Sequence, residues 1–132
     1  MILSIAPLYA GFFGLMLVLL SWRIVRLRHR FNVRMGDGGH TELMAAVRAQ
    51  GNLIEYLPTS LVLLMLLEIM GFSPHALHFL GLMLVVARVL HIYGINEPSG
   101  ASLSRKIGTR MTWAQIALSS LSCMAGAFGV AF

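Results

Sequence analysis

Three polar side chains in the second of four apolar segments, Arg48, Asn52 and Glu55, are separated by four and then three residues. In an α-helix this spacing puts all three on one face. The third apolar segment adds Arg88 and His91, which are three residues apart and also share a face. Ionisable groups in a membrane segment are costly, so they usually face the bundle interior or a cavity. The two sets are therefore predicted to lie inside a bundle, at a similar depth.

These side-chain types are suited to binding a small acidic peptide. Guanidinium groups bind carboxylates through paired hydrogen bonds. A glutamate accepts a hydrogen bond from an ammonium group, and an amide side chain bonds to peptide groups. Several arginines with one carboxylate, one amide and one imidazole suit a ligand that carries more negative than positive charge.

Simpler interpretations of the same residues stay open. In the first interpretation, Glu55 and Arg88 form a neutral pair that joins two helices. In another, the basic run from Arg23 to Arg34 only sets the topology and binds anionic lipid. Glu68, near the far end of the second segment, is expected to reach water. With one cysteine, Cys123, and no set of side chains at metal-ligand spacing, neither an intrachain disulfide nor a metal site is expected.

Membrane helices are the elements that must position these residues. Of the 132 residues, 58% are hydrophobic and only 11% are charged, whereas soluble domains carry about 25% charged residues. Four apolar segments are each long enough to span a bilayer as a helix. The sequence predicts an all-α membrane protein, a four-transmembrane-helix bundle that forms a single domain over residues 1–132. The predicted helices cover about residues 7–25, 42–70, 74–95 and 107–131.

The distribution of basic residues predicts the topology. All ten Lys and Arg residues lie in or near the first and third connections. By the positive-inside rule both connections face the cytoplasm and both termini lie outside it. Trp22 and Trp113 then lie at the cytoplasmic interface, where indole rings are favoured. The net charge of +5 is thus explained without nucleic acid, and a bacterial inner membrane is the expected location.

The order of these motifs resembles the MAPEG superfamily, the membrane-associated proteins in eicosanoid and glutathione metabolism. The stretch from Glu42 to Pro58 has that family's pattern of an acidic residue, then Arg-Ala, Asn, Glu and Pro. Arg88-Val-Leu-His91 is similar to the Arg-x-x-His of its third helix. Arg26-Leu-Arg28 resembles the basic end of its first helix, and Arg105-Lys-Ile-Gly-Thr109 resembles the start of its last.

This resemblance implies a homotrimer with a glutathione site at each subunit interface, open to the cytoplasm. Arg26 of one subunit would bind a glutathione carboxylate, and residues of the next subunit would line the peptide site. The glutathione-binding residues implied in this way are Arg26, Asn52, Glu55, Arg88 and His91. Arg105 is implied as the catalytic residue, because a cation near a thiol favours the reactive thiolate. A lipophilic second substrate would enter from the lipid bilayer.

Some positions differ from the family pattern. Thr109 stands where an aromatic hydroxyl is expected, and Tyr93 could supply a hydroxyl from another helix. Arg110 offers an alternative to Arg105 as the arginine that meets the thiol. Gly51 replaces a second basic residue next to the Asn, and Gln50 stands where His is common.

Three functions are consistent with the sequence. The first is a glutathione transferase or peroxidase that acts on lipophilic electrophiles. The second is a non-catalytic lipid- or peptide-binding membrane protein, which the missing aromatic hydroxyl favours. The third is a small multidrug transporter, although such proteins centre on an acidic residue in the first helix, and this chain has none there.

Overall fold

The computed structural model describes residues 3–97 and 102–129. It contains four helices, α1 (Ile5–Phe31), α2 (Thr41–Ile69), α3 (Pro74–Ile95) and α4 (Leu103–Ala127). The prediction of an all-helical protein with four helices is confirmed. The last two residues of the predicted helix over 107–131 lie outside the described residues.

Two helix ends differ from the sequence prediction for local reasons. α1 continues through its basic residues to Phe31, because positive side chains in a last helical turn interact favourably with the helix carboxyl end. α4 begins at Leu103 because Ser102 caps it, with its hydroxyl 3.4 Å from the backbone nitrogen of Arg105. Arg105 therefore belongs to the first turn of α4.

Three of the helices, α1, α2 and α3, are long and apolar enough to cross a membrane, judged by length and composition over the described residues. Large apolar side chains cover the outside of α1, and Leu15 and Leu19 are 70% and 64% exposed. Such a surface is expected where lipid is the solvent. α4 is less apolar, and the residues it buries are small or polar: Gly108, Thr112, Gln115 and Ser119. That α4 also spans the membrane stays a prediction.

The apolar core runs along the whole bundle, with Phe13, Leu53 and Leu84 near its middle. α1 packs mainly on α2, and α3 packs mainly on α4. We call the end that carries the α1–α2 connection and the start of α4 the basic end, since the arginines cluster there.

Two glycines bring α3 and α4 into backbone contact at the basic end. A Cβ atom on Gly108 would overlap the carbonyl oxygen of Ala87 and the backbone nitrogen of His91. A Cβ atom on Gly94 would overlap the backbone nitrogen of Arg105. Small residues allow this kind of close approach between membrane helices. The contact fixes the position of His91 relative to Arg105.

At the opposite end, the Glu68 carboxylate caps the start of α1. It accepts hydrogen bonds from the backbone nitrogens of Ser4, Ile5 and Ala6, at 2.7, 2.8 and 2.6 Å. The first N–H groups of a helix have no partner within the helix, and the Ser4 side chain does not cap them. Glu68 is only 8% exposed, so the prediction that it reaches water is wrong.

Candidate functional site

A cleft of about 840 Å³ opens at the basic end and is lined by residues of all four helices. Three of the predicted site residues line it: Asn52 from α2, His91 from α3 and Arg105 from α4. Arg48, about one helical turn before Asn52, lines it as well, and so does Glu42 in the first turn of α2. We call this space the basic-end cleft.

The charges of the basic-end cleft favour a ligand with net negative charge. Three arginines line it, Arg23, Arg48 and Arg105, against two carboxylates, Glu42 and Glu97. A concave site lined by charges of mostly one sign concentrates ligands of the opposite sign. Its volume lies within the roughly 300–1,000 Å³ of ordinary small-molecule sites.

Arg88 does not line the cleft but lies behind Asn52. It is 1% exposed, and its Nη1 donates to Asn52 Oδ1 at 2.9 Å and to the Asn52 carbonyl oxygen at 3.3 Å. Its guanidinium carbon is 5.7 Å from the centre of the Tyr56 ring. The Tyr56 hydroxyl is in turn 3.2 Å from Trp113 Nε1. The hydrogen bond from Arg88 orients the Asn52 side chain.

The predicted Glu55–Arg88 pair is not formed. Among the described residues Glu55 has no basic group within ion-pair distance, and Asn52 is the hydrogen-bond partner of Arg88. Nε and Nη2 of Arg88 have no hydrogen-bond partner among the described residues. The alternative interpretation of these two residues as a neutral pair is therefore wrong, because Asn52 faces Arg88 of α3 and Glu55 is exposed.

Within one chain, Arg26 and Glu55 stay outside the basic-end cleft. Arg26 is exposed, and its guanidinium carbon lies 4.6 Å from the centre of the Trp22 ring. It lines a neighbouring cavity of about 550 Å³ together with Arg30 and Glu42. Glu55 is exposed on α2, a helix of membrane-spanning length. A carboxylate in that position is costly unless another surface covers it.

The structure separates the two candidate arginines of α4. Arg105 lines the cleft, whereas Arg110 is exposed and is not part of its lining. Thr109 also lines the cleft, and its hydroxyl donates to the Arg105 carbonyl oxygen at 3.0 Å. Tyr93 is 63% exposed and faces the outside of the α1–α3 pair rather than the cleft.

Several lining residues were missed by the sequence reasoning. Asn96 and Glu97 lie just after the end of α3, at the rim of the cleft. Arg23 looked like one of many topology-setting charges. Its spacing of three residues from Arg26 was the available signal, since this puts Arg23 on the same side of α1 as a residue that the family resemblance implied in binding. Among the described residues, no cluster of His, Cys, Asp or Glu side chains suits a metal ion.

Comparisons with known proteins agree with the motif pattern. The model of the MAPEG family matches residues 6–125. The chain is 35% identical over 118 residues to "Inner membrane protein YecN" of Escherichia coli strain K12, covering 89% of this chain and 88% of that protein. The YecN protein of Escherichia coli O6:H1 strain CFT073 matches equally well, at 35% identity over 118 residues. The resemblance found in the sequence is thereby confirmed, and this chain belongs to the MAPEG family.

Proposed function

We propose that this protein is a bacterial inner-membrane, glutathione-dependent transferase or peroxidase that acts on lipophilic electrophiles. The observation that carries the proposal is the basic-end cleft, which gathers Asn52, His91 and Arg105 from three helices. All three match motifs of a family of membrane proteins in glutathione and eicosanoid metabolism. The location is supported by three helices of membrane-spanning length and by the names of the two relatives.

The chemistry of the cleft fits glutathione as a substrate. This tripeptide carries two carboxylates, one ammonium group and one thiol, and therefore has more negative than positive charge. In the proposal Arg48 binds a carboxylate, Glu42 accepts from the ammonium group and Asn52 bonds to a peptide group. Arg105 stabilises the thiolate, which is the nucleophilic form of the substrate. The protein then acts mainly by positioning and ionising this thiol.

Arg26 and Glu55 enter the proposal through a homotrimer. Both are exposed in the single chain, and a carboxylate on the lipid-facing side of a membrane helix favours a protein partner. In the trimer Arg26 of one subunit reaches the site of the next, where Asn52, Glu55, Arg88 and His91 contribute from the other side. Arg88 contributes by holding Asn52. The mass of the purified protein in detergent, measured by light scattering, tests this assembly.

The orientation is proposed from charge. Arginines cluster at the basic end, and the positive-inside rule places such an end in the cytoplasm, with both termini outside. The cleft then opens towards the compartment that contains glutathione. Reporter fusions at the two termini test this orientation.

Turnover by the purified protein tests the enzyme itself. Wild type and Arg105→Ala are compared on aromatic halides, unsaturated carbonyl compounds and lipid hydroperoxides, with glutathione as the co-substrate. Removing one charge-stabilising group from an active site typically costs about 10²–10³-fold in rate. We expect a loss of that order in Arg105→Ala and none in Arg110→Ala. Full activity of Arg105→Ala would remove this residue from the mechanism.

A second candidate function, glutathione binding without turnover, is favoured by the positions of the Thr109 and Tyr93 hydroxyl groups. The Thr109 hydroxyl is bonded to the carbonyl oxygen of its own helix, and Tyr93 faces away from the cleft. No tyrosine lines the cleft among the described residues. Saturable glutathione binding with no turnover across the whole set of electrophiles would support this second function over the first.

A further inference from the structure

A second concave surface lies on the outside of the bundle, between α1 and α3, and has a volume of about 620 Å³. Its walls are mainly apolar and include Leu19 and Leu20 of α1 and Ile92 of α3. Its polar end is formed by Arg23, Asn96 and Glu97, which also line the basic-end cleft. We call this surface the outer groove.

The outer groove is about two thirds as long as the hydrocarbon part of one leaflet. On α1 its lining runs from Met16 to Arg23, and on the other side it runs from Val89 of α3 to Asn96, the residue that follows the helix. Seven residues of α-helix rise about 10 Å, whereas half of the hydrocarbon core of a bilayer is about 15 Å. The groove therefore covers most of one leaflet at the basic end. Leu19, in its wall, is 64% exposed, so the groove is open to lipid.

Aromatic residues place the polar end of the outer groove at headgroup depth. Trp22, next to Arg23, is exposed and stacks with Arg26. Tyr93, in the facing wall of the groove, is also exposed. Exposed Trp and Tyr side chains in a membrane protein concentrate at the boundary between hydrocarbon and headgroups.

Arg23 and Glu97 are the charged groups of this polar end, and they are of opposite sign. Neither forms an ion pair or a side-chain hydrogen bond with another described residue. A ligand with only a negative charge would be repelled by Glu97, and a cation would be repelled by Arg23. A guanidinium binds phosphate with a planar fork, and a carboxylate accepts hydrogen bonds from a primary ammonium.

We propose that the outer groove binds a phospholipid whose headgroup carries a phosphate and a primary ammonium group, that is, a phosphatidylethanolamine. Its phosphate contacts Arg23, its ammonium group contacts Glu97, and an acyl chain lies along Leu19, Leu20 and Ile92. Neither Arg26 nor Glu55 lines the groove, so it does not contain the two exposed residues that are assigned to the proposed trimer contact. Arg23 and Glu97 line both the outer groove and the basic-end cleft. The bound lipid would cover them on the side of the groove.

Native mass spectrometry of the full-length protein in mild detergent tests this site. Phosphatidylethanolamine, phosphatidylglycerol and phosphatidylcholine with identical acyl chains are titrated separately. Phosphatidylglycerol lacks the cation, and phosphatidylcholine has a cation that cannot donate hydrogen bonds. We expect phosphatidylethanolamine to bind about fivefold more tightly than either, the effect of roughly one charge contact near a membrane surface.

Three variants assign the effect to the groove. Glu97→Gln is expected to abolish the preference for phosphatidylethanolamine over phosphatidylglycerol. Arg23→Gln is expected to weaken the binding of all three lipids about fivefold, because all three carry the phosphate. Leu19→Trp fills the groove without changing its charge and is expected to weaken the binding of all three lipids as well. Helix content by circular dichroism confirms that each variant folds.

Lys106→Gln is the matched control for Arg23→Gln. It removes the same charge at the same end of the bundle, from an exposed residue that does not line the groove, and is expected to leave lipid binding unchanged. Equal affinity of the wild type for the three lipids would overturn the proposal. So would equal weakening by Lys106→Gln and Arg23→Gln, since that would indicate only a general surface attraction.

Discussion

Replacing Gly108 by alanine tests the contact between α3 and α4 that positions the basic-end cleft. The added Cβ would overlap the Ala87 carbonyl oxygen and the His91 backbone nitrogen. Both are backbone atoms of α3, so no flexible side chain can move aside. The variant therefore requires α4 to shift away from α3, and Arg105, three residues before Gly108, shifts with it.

The size of the effect follows from two opposing contributions. Alanine stabilises a helix by about 0.5–1 kcal/mol relative to glycine, whereas overpacking a filled contact costs about 1–3 kcal/mol. The net result for Gly108→Ala is a destabilisation of up to about 2.5 kcal/mol relative to the wild type, and of about 1–3 kcal/mol relative to an alanine introduced where there is space for it. Gly14, in α1, has no atom within 4 Å of an added Cβ. Gly14→Ala is the matched control and is expected to be neutral or slightly stabilising.

The assay is unfolding of the purified protein by a denaturing detergent, followed by circular dichroism. The free energies of unfolding of the two variants are compared with the wild type, and glutathione binding is measured on the folded protein. Gly108→Ala is expected to lose stability and glutathione affinity together, whereas Gly14→Ala loses neither. If Gly108→Ala were as stable as Gly14→Ala, the tight α3–α4 contact and the position it gives Arg105 would be refuted.

Two further substitutions test the buried polar contacts by the same unfolding assay. Glu68→Ala is expected to cost about 1–3 kcal/mol, because three backbone N–H groups at the start of α1 lose their acceptor. Without glutathione present, Glu42→Ala removes an exposed pair with Arg30 at 3.6 Å and is expected to cost less than about 1 kcal/mol. Equal losses in the two variants would contradict the capping role of Glu68. Asn52→Ala removes the side-chain acceptor of the buried Arg88 and is expected to cost about 1.5–3 kcal/mol and to weaken glutathione binding. Unchanged stability would show that this hydrogen bond does not hold the network together.

Helical periodicity predicted the direction of the site residues on α2 but not how far the cleft extends. Arg48 and Asn52 line the same cleft, as their spacing indicated, whereas Glu55 does not. Three residues correspond to about 4.5 Å along a helix, and Glu55 is exposed on α2 outside the cleft. The depth of a cleft depends on how four helices pack, which a pattern within one helix does not contain.

The partner of Arg88 and the role of Glu68 depend on contacts between helices. Asn52 and Glu55 are close in sequence and both can accept a hydrogen bond from Arg88, so a small rotation of α2 decides between them. Glu68 caps a helix that begins more than sixty residues earlier in the chain. Sequence signals for helix caps are local, with the capping side chain next to the helix start. A cap supplied by another helix is visible only in the folded chain.

Calorimetric titration of the detergent-purified protein with glutathione tests the central claim most directly. Wild type is compared with Arg105→Gln and with Arg110→Gln, a matched control that removes the same charge from an exposed position on the same helix. The account predicts saturable binding that Arg105→Gln weakens about tenfold or more and that Arg110→Gln leaves unchanged. Absence of binding at millimolar glutathione, or equal weakening by the two substitutions, would contradict it.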